Sequence, residues 1–550
     1  MKKGQAKPLK SLLLLFALSA ILFAACSKDD AQETTDIQDQ AQISVEAIPD
    51  KLLEQLAQEG LTAGFADLSR LLPADFTSEA HQSGLAADGL HLVRMIEASH
   101  PIFVVEGMLA DDYEAVREEF LNYVSQDISL DDFTWAAFRF AAVLQDGHMG
   151  MGNLISKWSD EIDAPTRRRA LADIQYLWFE LGHPFDYTSN PMWGAGYLDE
   201  VWWTARDGQL FLLDENDEET GEEITAIGGI ATTRLLAEID AYFFPDNEIG
   251  RHDQVHGYFA YSLAVLERGG VDVSGDTVTL TLQNSDGQAS ERVAPLWRPE
   301  MAAEEAQSSE AEGGSDAEDA HAGWEAEDAF YIIRYEMLGD DVFFIDLRSF
   351  MDGDHIAEAA AAIEQAVSDG VRRFVVDLRG NSGGNFMVGV QLLGAMGIEP
   401  PGFGSYIRVS ELTAIRGTDW GISMNNAELA PYGVDYLRRE PSMSVVNAHD
   451  VFVSVLTDGG TYSAATMFAT VVRDGGLGNL VGQPSQGSPN FFGDTMVFEL
   501  PYSGRVVNVT GSYIFRPDTS ADPLVLWPDI AAEPEEALDI ALAHLREEIA

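Results

Sequence analysis

The chain has 550 residues, with 33 Lys plus Arg against 91 Asp plus Glu and a formal net charge of −58. After residue 51 the only lysine is Lys157 and the arginines are scattered, so there is no basic face for phosphate contacts and a nucleic-acid binder is excluded. At 46% apolar and 10% aromatic the chain can bury cores for two to four domains, which excludes a disordered acidic protein.

Residues 1–25 read as a signal peptide: Lys2, Lys3, Lys7 and Lys10 precede an apolar run from Leu12 to Phe23, too short for a comfortable membrane span. Phe23-Ala24-Ala25-Cys26 resembles a bacterial lipobox, which implies that Cys26, the only cysteine, is acylated and anchors the mature chain to a membrane. Ser27 stands where an inner-membrane retention signal has Asp, so an outer membrane lipoprotein, periplasmic or cell-surface facing, is expected. Losing four lysines and no acids moves the formal charge from −58 to −62. Such a body is repelled by an anionic surface and stands off it. Residues 26–48 are polar without apolar periodicity and read as a flexible tether.

From 49 to 160 apolar residues recur at helical spacing, as in Leu52-Leu53-Leu56 and Tyr123 to Leu144, with a break at Ser99-His100-Pro101. Near its end lies Leu144-Gln145-Asp146-Gly147-His148-Met149, where the histidine either organises a helix-to-strand turn or serves as a base. Residues 161–298 change to short strands between turn signals, a β-rich subdomain. Inside it, Gly221-Glu222-Glu223-Ile224-Thr225-Ala226-Ile227-Gly228-Gly229 and the helix predicted from Thr232 to Tyr242 resemble the closing strand and helix of a PDZ-like module. The carboxylate-binding loop of such a module is not recognisable. The stretch 299–328 carries many acids and no cluster at ligand spacing, and reads as an acidic disordered insertion.

The alternation Val342 to Leu347, the helix His355 to Ser368, the strand Phe374 to Leu378 and the helix after Asn385 give a β-α-β-α order, so an α/β core is expected over 329–545. Phe374-Val375-Val376-Asp377-Leu378-Arg379-Gly380-Asn381-Ser382-Gly383-Gly384-Asn385 runs from a buried strand through a Gly-rich turn into a helix, exposing N–H groups that can hold an oxyanion. A phosphate loop fits less well, because the P-loop lysine and the G-x-G-x-x-G spacing are both absent. A second strand, Val451 to Leu456, leads to Thr457-Asp458-Gly459-Gly460-Thr461-Tyr462-Ser463-Ala464-Ala465-Thr466. Ser463 at a helix start is either an N-cap or a nucleophile.

Together the two segments resemble the C-terminal processing, or tail-specific, serine peptidases, whose core is crotonase-like α/β. The likeness extends to Val481-Gly482-Gln483-Pro484 and Trp527-Pro528-Asp529-Ile530. It implies a serine endopeptidase that cleaves polypeptides through an acyl-enzyme on Ser463, with Gly383 or Gly384 and Ala464 as the oxyanion hole. In many members a lysine some twenty-five residues beyond the serine is the base, but here Ser488 stands in its place, and a hydroxyl is a poor base at neutral pH. The tricorn-like branch instead uses a histidine in a D-G-H motif, which points to His148 as general base and Ser488 as its auxiliary. Asp494, Glu499 and Asp518 follow the serine, and none is singled out as an orienting third residue. The missing lysine and Thr466, where the family has glutamate, also suit a catalytically inactive homologue that binds peptides or acts as a scaffold. No cofactor or active-site metal is implied by spacing.

Overall fold

Two strands rich in β-branched residues build the centre of the molecule. Arg373–Asp377 and Phe452–Thr457 are buried along nearly their whole length, as parallel strands covered on both faces must be. They are neighbours in a six-stranded sheet ordered Ile333–Leu338, Val342–Leu347, Arg373–Asp377, Phe452–Thr457, Gly478–Gly482, Ile530–Ala531, of which only the first pair is antiparallel. This computed structural model describes residues 48–150, 155–157, 160, 162–167, 195–216, 218–298, 332–351, 353–416 and 428–548. The signal peptide, Cys26, the tether as far as residue 47 and the acidic insertion lie outside the described residues.

Alternate side chains of these strands go to opposite faces. Phe374, Val376, Val453 and Val455 pack with Ile363, Leu392 and Phe468 of helices Asp354–Ser368, Phe386–Ala395 and Ala464–Asp474. Val375, Leu456 and Val481 pack instead on Ala541 and Leu545 of helix Ala537–Glu548. In register, Asp377 faces Leu456. The loops 378–385 and 458–463 therefore leave the carboxyl ends of adjacent strands side by side, the edge where open α/β sheets carry their sites.

A second sheet is antiparallel, ordered Leu61–Gly64, Tyr436–Arg439, Gly404–Arg408, Arg505–Phe515, Phe491–Glu499, and Ile155–Lys157 also pairs with Arg505–Phe515. The stretch 49–160 supplies the helices Asp50–Gln58, Gly84–Ser99, Tyr113–Val124 and Leu130–Ala142. It also lends this sheet two strands that helical spacing did not suggest. Asp88, buried in helix Gly84–Ser99, accepts the N–H groups of Tyr502 (2.7 Å) and Ser503 (2.9 Å) at the tip of the hairpin formed by Phe491–Glu499 and Arg505–Phe515.

The third sheet has seven strands, ordered Tyr197–Leu198, Ala289–Trp297, Thr277–Asn284, Glu219–Ile227, Gln209–Leu213, Trp203–Arg206, with Ile230–Ala231 beside Glu219–Ile227. Val278, Leu280 and Leu282 alternate inward, and helix Thr232–Ile239 buries Leu235, Leu236 and Ile239 against the neighbouring strands Glu219–Ile227 and Gln209–Leu213. One apolar cluster unites this sheet with the N-terminal helices and the long hairpin, through Leu280 and Leu296, Phe138 and Phe140, and Phe498 and Val507. No helix among the described residues is long and apolar enough to cross a membrane.

Asp88→Ala leaves two N–H groups of the hairpin tip without their acceptor. The expected cost is about 2–4 kcal/mol in urea unfolding, from two bonds at about 1–2 kcal/mol each. A loss below about 0.5 kcal/mol would show that water replaces the carboxylate there.

Candidate functional site

Ser463 begins helix Ala464–Asp474 with φ 49° and ψ −120°. That conformation is unfavourable for a side chain with a Cβ and costs about 1–3 kcal/mol. It is held from both sides. The Tyr462 N–H donates to the Asn381 carbonyl (2.9 Å), the Ala465 N–H to the Tyr462 carbonyl (3.0 Å) and the Met467 N–H to the Ser463 carbonyl (2.9 Å). Thr461 ties the two loops together by donating its hydroxyl to the Leu378 carbonyl (3.0 Å).

Asn381 is fully buried, and its Nδ2 donates to the Leu347 carbonyl (2.7 Å) while its Oδ1 accepts from the Gly383 N–H (2.8 Å). The Gly383 N–H is thus spent inward and does not face the space above Ser463. This corrects the sequence expectation, which left Gly383 and Gly384 as equals. The N–H groups of Gly384 and Ala464 have no acceptor among the described residues. Both glycines have positive φ, 104° and 134°, and a Cβ on Gly383 would come 2.8 Å from the Ser463 Cβ and 2.9 Å from the Ala464 N. Only glycine allows the loop to lie that close to the serine.

His148 sits on the short helical turn Gly147–Gly150, 14% exposed, with Nε2 3.3 Å from the Ser463 Oγ. Its ring lies between Tyr462 and Phe491, with centroids 4.9 and 5.5 Å away. Asp146 fastens the turn: Oδ1 accepts the His148 backbone N–H (2.9 Å), and Oδ2 accepts from the Thr510 hydroxyl (2.7 Å) and lies 3.1 Å from the His100 Nε2. The Nδ1 of His100 accepts the Ile102 N–H (3.1 Å), so the proton of a neutral His100 sits on Nε2 and points at Asp146. The Nδ1 of His148 has the Tyr462 hydroxyl at 3.2 Å and the Asp146 Oδ1 at 3.8 Å.

Asp246, on the segment that returns from the β-rich subdomain, completes the group. Its Oδ1 accepts the Gly147 N–H (3.1 Å), and its Oδ2 is sealed from solvent without a hydrogen-bond partner. Burial pushes its carboxyl up to about 6, against the pull of His148 and with the repulsion of Asp146. Burial, then the nearby Asp246 and Asp146 carboxyls, hold the Tyr462 phenol well above its ordinary value. Among the described residues Asp146, His148 and Asp246 also bring three ligand atoms within 4.8 Å of one another, a grouping hidden from sequence spacing.

The fold thus joins Ser463, His148, Gly384 and Ala464, which chain position separates by up to 316 residues. An Nε2 lone pair at hydrogen-bond range can take a serine proton, and two free N–H groups can receive a developing oxyanion. Ser488 is placed otherwise. Its buried hydroxyl lies 2.6 Å from the Leu524 carbonyl and 3.1 Å from the Asp246 carbonyl, so it braces the segment that carries Asp246 and does not touch His148. Asp494, Glu499 and Asp518 are engaged elsewhere: Asp494 accepts from Ser512, Glu499 pairs with Arg167, and Asp518 accepts from Ser520. His100, Thr510, Tyr462 and Asp246 carried no motif, and only the break at Ser99-His100-Pro101 marked one of them.

Residues 341–531 match the family described as Peptidase family S41. The fold is similar to that of mature CPAF complexed with lactacystin, with a TM-score of 0.51 and 14% identity over 86% of this chain and 98% of that one. A second structure, described as the crystal structure of mature CPAF, gives a TM-score of 0.50 and 13% identity over 86% and 97%. At such identities the likeness is one of fold. No curated protein matches the chain.

A carboxyl raised from 3.8 to about 6 makes the folded state bind its proton more tightly than the unfolded state does. Stability from this group is therefore full below the unfolded value and declines as pH rises towards 6. Asp246→Asn removes the buried charge and is expected to add on the order of 1–3 kcal/mol at pH 8 and nothing near pH 4. Urea unfolding at the two pH values checks this, and equal or lower stability at pH 8 would refute it.

Proposed function

We propose, from the match of residues 341–531 to Peptidase family S41, that this serine-type peptidase is a lipid-anchored, extracytoplasmic endopeptidase that cleaves polypeptides through an acyl-enzyme on Ser463 with His148 as general base. The observation that carries the reading is the 3.3 Å approach of the His148 Nε2 to the Ser463 Oγ. No lysine is needed for proton transfer, because an imidazole works close to neutral pH.

In the first step the Ser463 oxygen attacks the scissile carbonyl and His148 takes its proton. The oxyanion that forms is held by the N–H groups of Gly384 and Ala464, the pair left unspent by the loops. When the C–N bond breaks, His148 returns the proton to the leaving amine. Water then attacks the ester with the same imidazole as base, and Ser463 is regenerated.

An apolar cavity of about 420 Å³, lined by Phe386, Phe403, Met467 and Ile514, begins one helical turn past Ser463. It supports substrates with a large apolar side chain beside the cleaved bond. The lipobox-like Phe23 to Cys26 supports anchoring at Cys26, and Ser27 supports the outer membrane.

The test is labelling with a fluorophosphonate probe together with hydrolysis of an unfolded protein substrate. Wild type is expected to label and to cleave, Ser463→Ala to do neither, and His148→Ala to lose about 10³-fold or more in rate. Cleavage that survives Ser463→Ala sinks the proposal. Peptide binding without labelling or turnover would establish instead the inactive homologue, which the missing lysine favours.

A further inference from the structure

A base needs the right tautomer as well as the right distance, and this depends on what faces the other ring nitrogen. Asp146 is poorly available for that task. Its Oδ2 takes the Thr510 hydroxyl and the His100 Nε2–H, its Oδ1 takes the backbone N–H of His148 itself, and 3.8 Å separates Oδ1 from the imidazole Nδ1. The nearer partner is the Tyr462 hydroxyl at 3.2 Å.

A phenol has a single proton to give. If Tyr462 donates to the His148 Nδ1, the imidazole proton sits on Nε2, facing Ser463, and the ring cannot act as base. If Tyr462 donates elsewhere, its oxygen accepts from Nδ1–H and the Nε2 lone pair faces the serine. Asp246 offers that alternative. Its Oδ1 and the Tyr462 hydroxyl stand together over Gly147, 2.4 and 2.9 Å from where a Cβ would sit there, and Oδ1 accepts the Gly147 N–H at the start of the turn that carries His148. A carboxylate accepts and cannot donate, so it fixes the direction of the chain of bonds.

We propose that Tyr462 and Asp246 are positioning residues: the Asp246 carboxylate receives the Tyr462 hydroxyl proton in a hydrogen bond, so that the Tyr462 oxygen accepts from His148 Nδ1–H and the His148 Nε2 is left bare towards Ser463. The relay runs Asp246, Tyr462, His148, Ser463, with no net proton leaving the first two. It rests on the reading of Ser463 and His148 given above. The groups facing His148 are Tyr462, Phe491, Asp146 and Asp246, with His100 and Thr510 behind Asp146.

The experiment compares full-length wild type, Tyr462→Phe, Asp246→Asn and the double variant by steady-state kinetics against pH and by fluorophosphonate labelling. Tyr462→Phe keeps the ring that stacks on His148 and removes only the hydroxyl. Each single variant is expected to lose about 10- to 100-fold in kcat with KM within about threefold, the size of effect that a wrong tautomer produces. The double variant should be no worse than the worse single one, because both changes break one chain of bonds. If Asp246→Asn does not fold, Tyr462→Phe decides alone. Tyr462→Phe with kcat within twofold of wild type, while His148→Ala remains inactive, overturns the relay and leaves the peptidase reading standing. Wild type that neither labels nor cleaves overturns both.

Discussion

The site depends on one backbone bend, the positive φ of Ser463. A serine in that conformation would relax by about 1–3 kcal/mol if it were free to turn. It is not free, because Asn381 holds the preceding residue from the neighbouring strand's loop and the helix behind it is buried at every position from Ala464 to Val472. Asn381 does three things at once. It ties its own loop to Leu347, turns the Gly383 N–H inward and accepts from Tyr462. The inward turn of Gly383 rotates the next peptide, which leaves the Gly384 N–H unspent. The strained serine and the free donor are consequences of the same buried amide.

Two carboxylates stand beside one imidazole, and their surroundings differ in a way that separates their roles. Asp146 has three donors for its two oxygens, from His148, His100 and Thr510, and is a rigid fastener. Asp246 is sealed from water with one oxygen lacking a close partner, and burial first of all raises its proton affinity. A buried acceptor without its full set of partners is costly for folding. The neighbour of that carboxyl is the Tyr462 phenol, whose ring stacks on His148.

Much of this was legible in the residues. The strand, Gly-rich turn and helix at 374–385, and the strand leading to Ser463, could be read from composition because parallel strands buried on both faces are continuous apolar runs. Their side-by-side placement followed from α/β topology. His148 was legible only through its Asp146-Gly147 neighbours. The support behind it was not. His100 is one of 11 histidines, Thr510 lies on a strand more than 360 residues from Asp146, and Asp246 is one of 91 acids. Pairing across such separations leaves no period or spacing in the sequence. Ser488 misled for a related reason: it occupies the position of a base, but whether a hydroxyl faces the imidazole or a carbonyl is decided by the chain packed against it. Leu61–Gly64 and Ile155–Lys157 were missed because an edge strand of three or four residues is too short to show alternation.

The exchange of lysine for serine at 488 then has a physical account. Position 488 is buried and meets the carbonyls of Asp246 and Leu524. A lysine there would need room for four methylenes and would bring an ammonium beside Asp246, pairing with the carboxylate that now faces Tyr462. A serine leaves that carboxylate uncompensated and lets the returning segment of the β-rich subdomain close over the loop, with Asn247 reaching the carbonyls of Ser485 and Leu524. Ser488 and Asp246 thus belong to one packed neighbourhood with Tyr462 and His148. The β-rich subdomain becomes part of the site by the same step, since the segment carrying Asp246 belongs to it and to no element of the peptidase core.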